Sequence, residues 1–171
     1  MRDLRIAKLA EEYLAMANVT KAPVPVLEVA KKAGVTVKFG PLPDELSGFL
    51  MHDHGQVVLG VNSLHPKPRQ NFTIAHELGH HALHPHSNFV DHKVLFLRGP
   101  RASLAMDSQE MEANKFAAEL LMPARFLSKH LGKDSVDVED EERIEHLAQS
   151  FGVSTQALTF RLLNLDLARQ G

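Results

Sequence analysis

The chain has 171 residues, 44% hydrophobic and 23% charged, with a formal net charge of -2, values of an ordinary globular chain of about one domain that exclude wholesale disorder and a broad basic footprint for nucleic acid. It contains no cysteine, which removes disulfides, thiolate nucleophiles and Cys-ligated zinc sites, so any metal must be held by imidazole and carboxylate. No apolar run reaches the roughly 18 residues of a membrane span and Met1 to Lys8 lacks the apolar core of a signal peptide, so a cytoplasmic, membrane-free setting is the expectation.

In chain order, Ile6, Leu9, Ala10, Tyr13 and Ala17 recur at helical spacing and predict an amphipathic helix over Arg2 to Ala17. After Pro23 and Pro25, Val26, Val29, Ala30 and Ala33 form a shorter helical stripe that Gly34 ends. Val35 to Phe39 reads as a strand, and Gly48 to His52 with Gln56 to Val61 reads as a hairpin about the turn Asp53-His54-Gly55. His52 and His54 are then turn residues rather than ligands. The pattern is helical from Asn71 to about His84, irregular over 87 to 106, and helical again from about Asp107 to Leu121. Pro123 opens a short helix that Gly132 ends, the acidic stretch Asp134 to Glu142 reads as a solvated linker, and two helices follow over Glu141 to Ser150 and Ser154 to Ala168. The fold class expected is α+β, a small β-sheet packed on a pair of helices. The expected division is a catalytic domain over 1–132, then 133–171 as the linker with a C-terminal helix-turn-helix-like segment packed on it.

Five of the eleven histidines, His76, His80, His81, His84 and His86, crowd into one short segment. His76-Glu77-Leu78-Gly79-His80 is an HExxH motif: two imidazoles four residues apart project from one helical face toward a single ion. Zinc suits this chemistry, because it acidifies bound water while Glu77 is placed to accept the proton. A third ligand is needed. His84 lies eight residues beyond His76, about 12 Å along the axis, too far to share one ion. His86 stands at a known third-ligand spacing, but Leu83 replaces the turn-making glycine that such a ligand requires.

Glu110 and Glu112 on the second helix are the better candidates, and helical phase separates them. At 100° per residue, Ala113, Asn114, Ala117, Ala118 and Leu121 fall within about 80° of Glu110, whereas Glu112, Lys115 and Glu119 lie opposite. Glu110 therefore shares the buried face, and its small neighbours, with Gly79 across from them, allow the two helices to approach closely. Asn114, one turn on, is placed to orient a ligand from behind. Glu112 reads as a solvated charge. The competing role for Glu110 is capping, since Asp107-Ser108-Gln109-Glu110 fits a helix start; the metal's lack of another partner favours the ligand.

The blocks Arg69 to His80 and Glu110 to Pro123 resemble the ImmA/IrrE family of zinc metallopeptidases, and the resemblance extends over most of the chain. It implies a zincin-like helix pair with Zn2+ held by His76, His80 and Glu110 and with Glu77 catalytic. It also implies cleavage of transcription regulators, often helix-turn-helix repressors of mobile elements or stress responses.

Leu147 to Ser154 looks like a helix-turn-helix turn, which raises DNA-binding regulation as the main rival. Residues 133–171 carry four basic and eight acidic groups, a balance that repels phosphate and makes direct nucleic-acid binding unexpected. A zinc hydrolase of a small molecule is the third reading; only the size of the cleft separates it from a peptidase. A protein substrate is expected to pair with an exposed sheet edge formed by Gln56 to Val61 or Gly48 to His52, helped by the loop 87–106.

Overall fold

The computed structural model describes residues 2–85, 89–92, 100–132 and 135–169. Helices α1 (Arg2–Met16) and α2 (Val26–Lys32) precede the strands β1 (Val35–Gly40), β2 (Leu46–Asp53) and β3 (Gln56–Asn62). The chain then forms α3 (Lys67–Leu83), β4 (Phe89–His92), α4 (Pro100–Leu121) and α5 (Ala124–Leu131). It ends with β5 (Val136–Asp137), α6 (Glu141–Phe151), α7 (Thr155–Asn164) and β6 (Ala168–Arg169). The α+β class expected from the sequence is what the structure has.

The main sheet has the order β1-β3-β2-β4. β2 and β3 form the expected antiparallel hairpin, with Met51 opposite Val58 and His52 opposite Val57, while β1 joins β3 in parallel. The turn holds because His54 and Gly55 both take positive φ, 45° and 80°, the backbone that a two-residue hairpin needs to match the strands' twist. Gly48 has a different reason to be glycine. A Cβ there would stand 2.5 Å from the Gly60 carbonyl oxygen and 2.6 Å from Thr73 Cγ2, so its absence lets β2 lie directly on α3.

α3 is the centre of the molecule. It packs against β2 and β3 on one side and most heavily against α4 on the other, and every residue from Thr73 to His80 is buried. It begins four residues earlier than the periodicity indicated, because Pro68 sits in the first turn, where a missing N–H costs nothing. The fully buried Asn62 ties the preceding loop down: its side-chain nitrogen donates to the carbonyls of Leu42, Pro43 and Leu46, and its oxygen accepts from the backbone of Leu42 and Leu64.

Two expectations are corrected and one competing role is removed. The span 87–106 is not wholly irregular, since it contains β4 and the first turns of α4; residues 87–88 and 93–99 lie outside the described residues. With α4 starting at Pro100, Asp107 to Glu110 sit well inside a helix, and a capping role for Glu110 falls away. The strands β2 and β3 are both internal, each flanked by two neighbours, so neither offers a free edge; the edges are β1 and β4. A hairpin read locally contains nothing about which strand will join it from elsewhere in the chain.

The C-terminal helices form where expected, although α7 stops at Asn164 and β6 follows. Asp140 and Ser154 cap α6 and α7 by accepting from the backbone N–H of Arg143 and Ala157, both at 3.1 Å. Gly152 turns the chain between them at φ 66°, and Asn71 of α3 donates to its carbonyl at 2.9 Å. Within the acidic stretch, Val136 is fully buried and pairs with Ala168.

Candidate metal centre

The HExxH spacing does what helical geometry dictates: His76 and His80 lie one turn apart on α3, with ring centroids 4.7 Å apart and their Nε2 atoms 3.1 Å apart. Glu110 reaches them from α4. Its two carboxylate oxygens stand 3.0 Å from His76 Nε2 and 3.1 Å from His80 Nε2. These three residues are the group among the described residues able to hold a metal ion. The helix-phase argument for Glu110 over Glu112 therefore matches the placement.

The close approach of the two helices has a local cause. A Cβ on Gly79 would meet the Ala113 Cα and carbonyl oxygen at 3.0 Å and Phe116 Cβ at 3.2 Å, so the absence of that methyl lets α3 and α4 touch backbone to backbone. The same approach brings Glu110 of α4 to within 3.0–3.1 Å of both histidines.

The donors fit zinc. Nitrogens and oxygens at about 2.0–2.2 Å from a tetrahedral ion lie roughly 3.3 Å from one another; the two imidazole nitrogens stand 3.1 Å apart and each meets a different oxygen of Glu110, at 3.0 and 3.1 Å, separations close to that value. Asn114, one turn beyond Glu110, accepts a hydrogen bond from His76 Nδ1 at 2.9 Å. The ring proton is thereby held on Nδ1, and the Nε2 lone pair faces the shared centre, as a ligand requires.

Protonation points the same way. Burial raises the Glu110 carboxyl, but hydrogen bonds and charge from His76 and His80 outweigh it and bring it down to about 2. Burial, the largest influence, lowers His80, and the neighbouring His76 and His84 add to it against the hydrogen bond and charge of Glu110. At neutral pH the Glu110 carboxylate is ionised and able to donate to a metal. The Glu110 side chain is 39% exposed while His80 is buried, so one side of the group faces solvent, the arrangement of an open rather than a closed site.

Glu77 follows His76 on α3 and is entirely buried. Glu112 corrects its expectation: its side chain is only 18% exposed and lies 3.4 Å from His84 Nε2. The face of α4 opposite Glu110 is covered, with Lys115 2.8 Å from Asp3 of α1 and Glu119 paired with Arg161 of α7. A single-helix projection cannot see those neighbours. His84 is outside the three-residue group, its ring 6.0 Å from that of His80, and His86 lies outside the described residues. His52 sits in β2 with its ring 6.0 Å from that of His81, and His54 pairs with Asp53 at the exposed turn, so neither joins the centre. Phe72, which the sequence reading left unassigned, stacks on His76 at 6.3 Å between centroids. Its position four residues before His76 was the available signal.

A mixed α+β fold with an HExxH helix facing a carboxylate on its neighbour presents a group that could hold a metal ion, and comparison with known proteins gives its family. Residues 30–163 match the Peptidase_M78 family, described as the IrrE N-terminal-like domain, and the chain belongs to that family. It is 33% identical over 105 residues to "Uncharacterized immunity region protein 2" of Bacillus phage phi105. The match covers 60% of this chain and 61% of that protein, less than two thirds of its length. A solved structure of a Mycobacterium tuberculosis transcriptional regulator has the same fold over 92% of this chain, with a TM-score of 0.59 and 20% identity; the chain spans 46% of it.

Proposed function

We propose that this chain is a zinc-dependent endopeptidase, with His76, His80 and Glu110 as ligands, Glu77 as general base and Asn114 fixing the His76 tautomer. The convergence of two imidazole nitrogens and a carboxylate at 3.0–3.1 Å carries the reading. A zinc ion held there would lower the pKa of its water to about 7 and polarise the scissile carbonyl. Glu77 takes the proton as water attacks and passes it to the departing amine. The buried α3 backbone holds Glu77 in fixed register with both histidines, so no ordering is required at the moment of reaction.

A polypeptide substrate is favoured over a small molecule by the groove beside the centre. Lined in part by Phe72 and Asn114, it measures about 1140 Å³, above the usual range of small-molecule pockets, about 300–1,000 Å³. Intrinsic DNA binding is disfavoured because Arg161, the chief cation of α7, is buried and spent on Glu119 and the Met122 carbonyl. The substrate class proposed is a helix-turn-helix repressor or related regulator, in the cytoplasm. It draws support from the family and from the similarity to a phage immunity region protein.

The test is a cleavage assay on regulators encoded beside this gene, with metal analysis in parallel. Wild type should cleave and carry one zinc per chain. Glu77→Gln should keep zinc and lose most turnover, Glu110→Ala should lose zinc, and Glu112→Ala should keep it. Turnover by Glu77→Gln at the wild-type rate, or equal zinc in the two glutamate-to-alanine variants, would overturn the assignment.

A further inference from the structure

The groove that begins at Phe72 and Asn114 continues between the start of α1 and the outer face of α7, and its chemistry is uneven. Two large apolar side chains line it in the open, Leu4 at 76% exposure and Phe160 at 64%. Most of its charges are already matched: Asp3 with Lys115 at 2.8 Å, and Glu119 with Arg161 at 2.9 Å. Arg69 is the exception. It is exposed, its guanidinium donates to Ser47 Oγ at 3.1 Å, and it has no carboxylate partner among the described residues. Seven residues before His76, Arg69 lies on the same face of α3, about 10.5 Å along the axis.

We infer that this groove is the recognition surface for the flank of a polypeptide substrate, Arg69 selecting an acidic side chain and Leu4 with Phe160 a bulky apolar one. The inference rests on the peptidase reading. At about 3.3 Å per residue of extended chain, the distance from Arg69 to His76 places the acidic side chain about three residues from the scissile bond. The groove adjoins the centre through His76, whose Nδ1 donates to Asn114 and on whose ring Phe72 stacks. One unpaired cation beside apolar walls suits a mixed acidic and apolar peptide. A nucleic-acid backbone would need a row of such cations.

The probes are short fluorescent peptide pools, degenerate except for Leu or Phe flanking an acidic position, and matched pools with Lys in place of the acid. Binding is read by anisotropy on zinc-loaded Glu77→Gln, where nothing turns over, and cleavage by wild type is mapped by mass spectrometry. The acidic pool should bind more tightly, and cuts should fall about three residues from the acid. Arg69→Ala, made in the Glu77→Gln background, should reduce that preference about two- to fivefold, the range of an exposed ion pair. Arg69→Lys should retain it, and Arg69→Glu should turn it toward the basic pool, which loss of the Ser47 contact alone would not do. Phe160→Asp should weaken the acidic pool by tenfold or more, about tenfold through lost apolar burial and further because the new carboxylate repels it, and the basic pool less.

Equal binding of the two pools, or a preference indifferent to the charge at position 69, overturns the inference. Cleavage without such a preference overturns the groove and leaves the peptidase reading standing. Selective binding with no cleavage by wild type, either of the pools or of the adjacent regulators, removes the peptidase reading and leaves the groove only as a peptide-binding surface. A concentration-dependent dimer abolished by Phe160→Asp, with no peptide preference, assigns the surface to a second copy of the chain and also overturns it.

Discussion

Gly79→Ala probes the contact on which the metal centre depends. The new methyl would stand 3.0 Å from the Cα and carbonyl oxygen of Ala113 and 3.2 Å from Phe116 Cβ, whereas carbon contacts settle at about 3.5–4.0 Å. Two of those three neighbours are backbone and cannot rotate aside, so α3 and α4 must part by on the order of half an ångström. Overpacking of this kind costs about 1–3 kcal/mol, and the better helix propensity of alanine returns about 1 kcal/mol. The net loss is about 1 kcal/mol, or about 2–4 °C in Tm for a chain of this size. The metal should suffer more than the fold. Gly79 adjoins His80 and Ala113 lies one turn from Glu110, so the displacement falls on the 3.1 Å edge between those ligands, while metal–ligand distances tolerate only about 0.2 Å. Zinc affinity, measured by competition with a chromophoric chelator, should fall about 10- to 100-fold. Unchanged affinity in a variant that is normally folded would refute the claim that this glycine sets the ligand geometry.

Arg161→Leu should destabilise the chain by about 3–5 kcal/mol, because it strands Glu119, only 15% exposed, without its cation; urea denaturation reads this, and a change under 1 kcal/mol would show the pair to be effectively solvated. Asn114→Ala should weaken zinc about 10- to 100-fold while the fold is kept, by freeing the His76 tautomer; calorimetric titration with zinc decides, and wild-type affinity would remove Asn114 from the centre. For the metal-free protein, burial holds His80, His81 and His84 below their ordinary 6.5. The unfolded chain therefore takes up more protons below that pH, so the stability these groups contribute is present above pH 6.5 and is lost as the pH falls through and below it. Equal urea midpoints at pH 7.5 and pH 5.5 would contradict that sign.

The parts of the site legible in the sequence were those set by one helix at a time. His76 and His80 follow from a spacing of four, and Glu110 from the phase of a helix whose small residues mark its packed face. The β2–β3 hairpin was legible because His54-Gly55 carries its own turn chemistry. What depended on distant partners was hidden. Glu112 looked solvated because nothing in α4 reveals that His84 will lie beside it, and the same blindness hides the pairing of Glu119 with Arg161. The sheet edge was misplaced because β1 covers β3 in parallel and β4 pairs with β2 from across the whole of α3. The two-residue strands β5 and β6 are too short for any period to show.

The central claim is that one zinc ion is shared by His76, His80 and Glu110 at an open site. X-ray absorption at the zinc edge on the zinc-loaded protein tests it most directly. The account predicts two imidazole nitrogens at about 2.0–2.1 Å and oxygen donors from a carboxylate and water at about 2.0–2.2 Å, with a loss of carboxylate scattering and of bound zinc in Glu110→Ala. A spectrum showing three or more imidazoles, or one unchanged in Glu110→Ala, would contradict it.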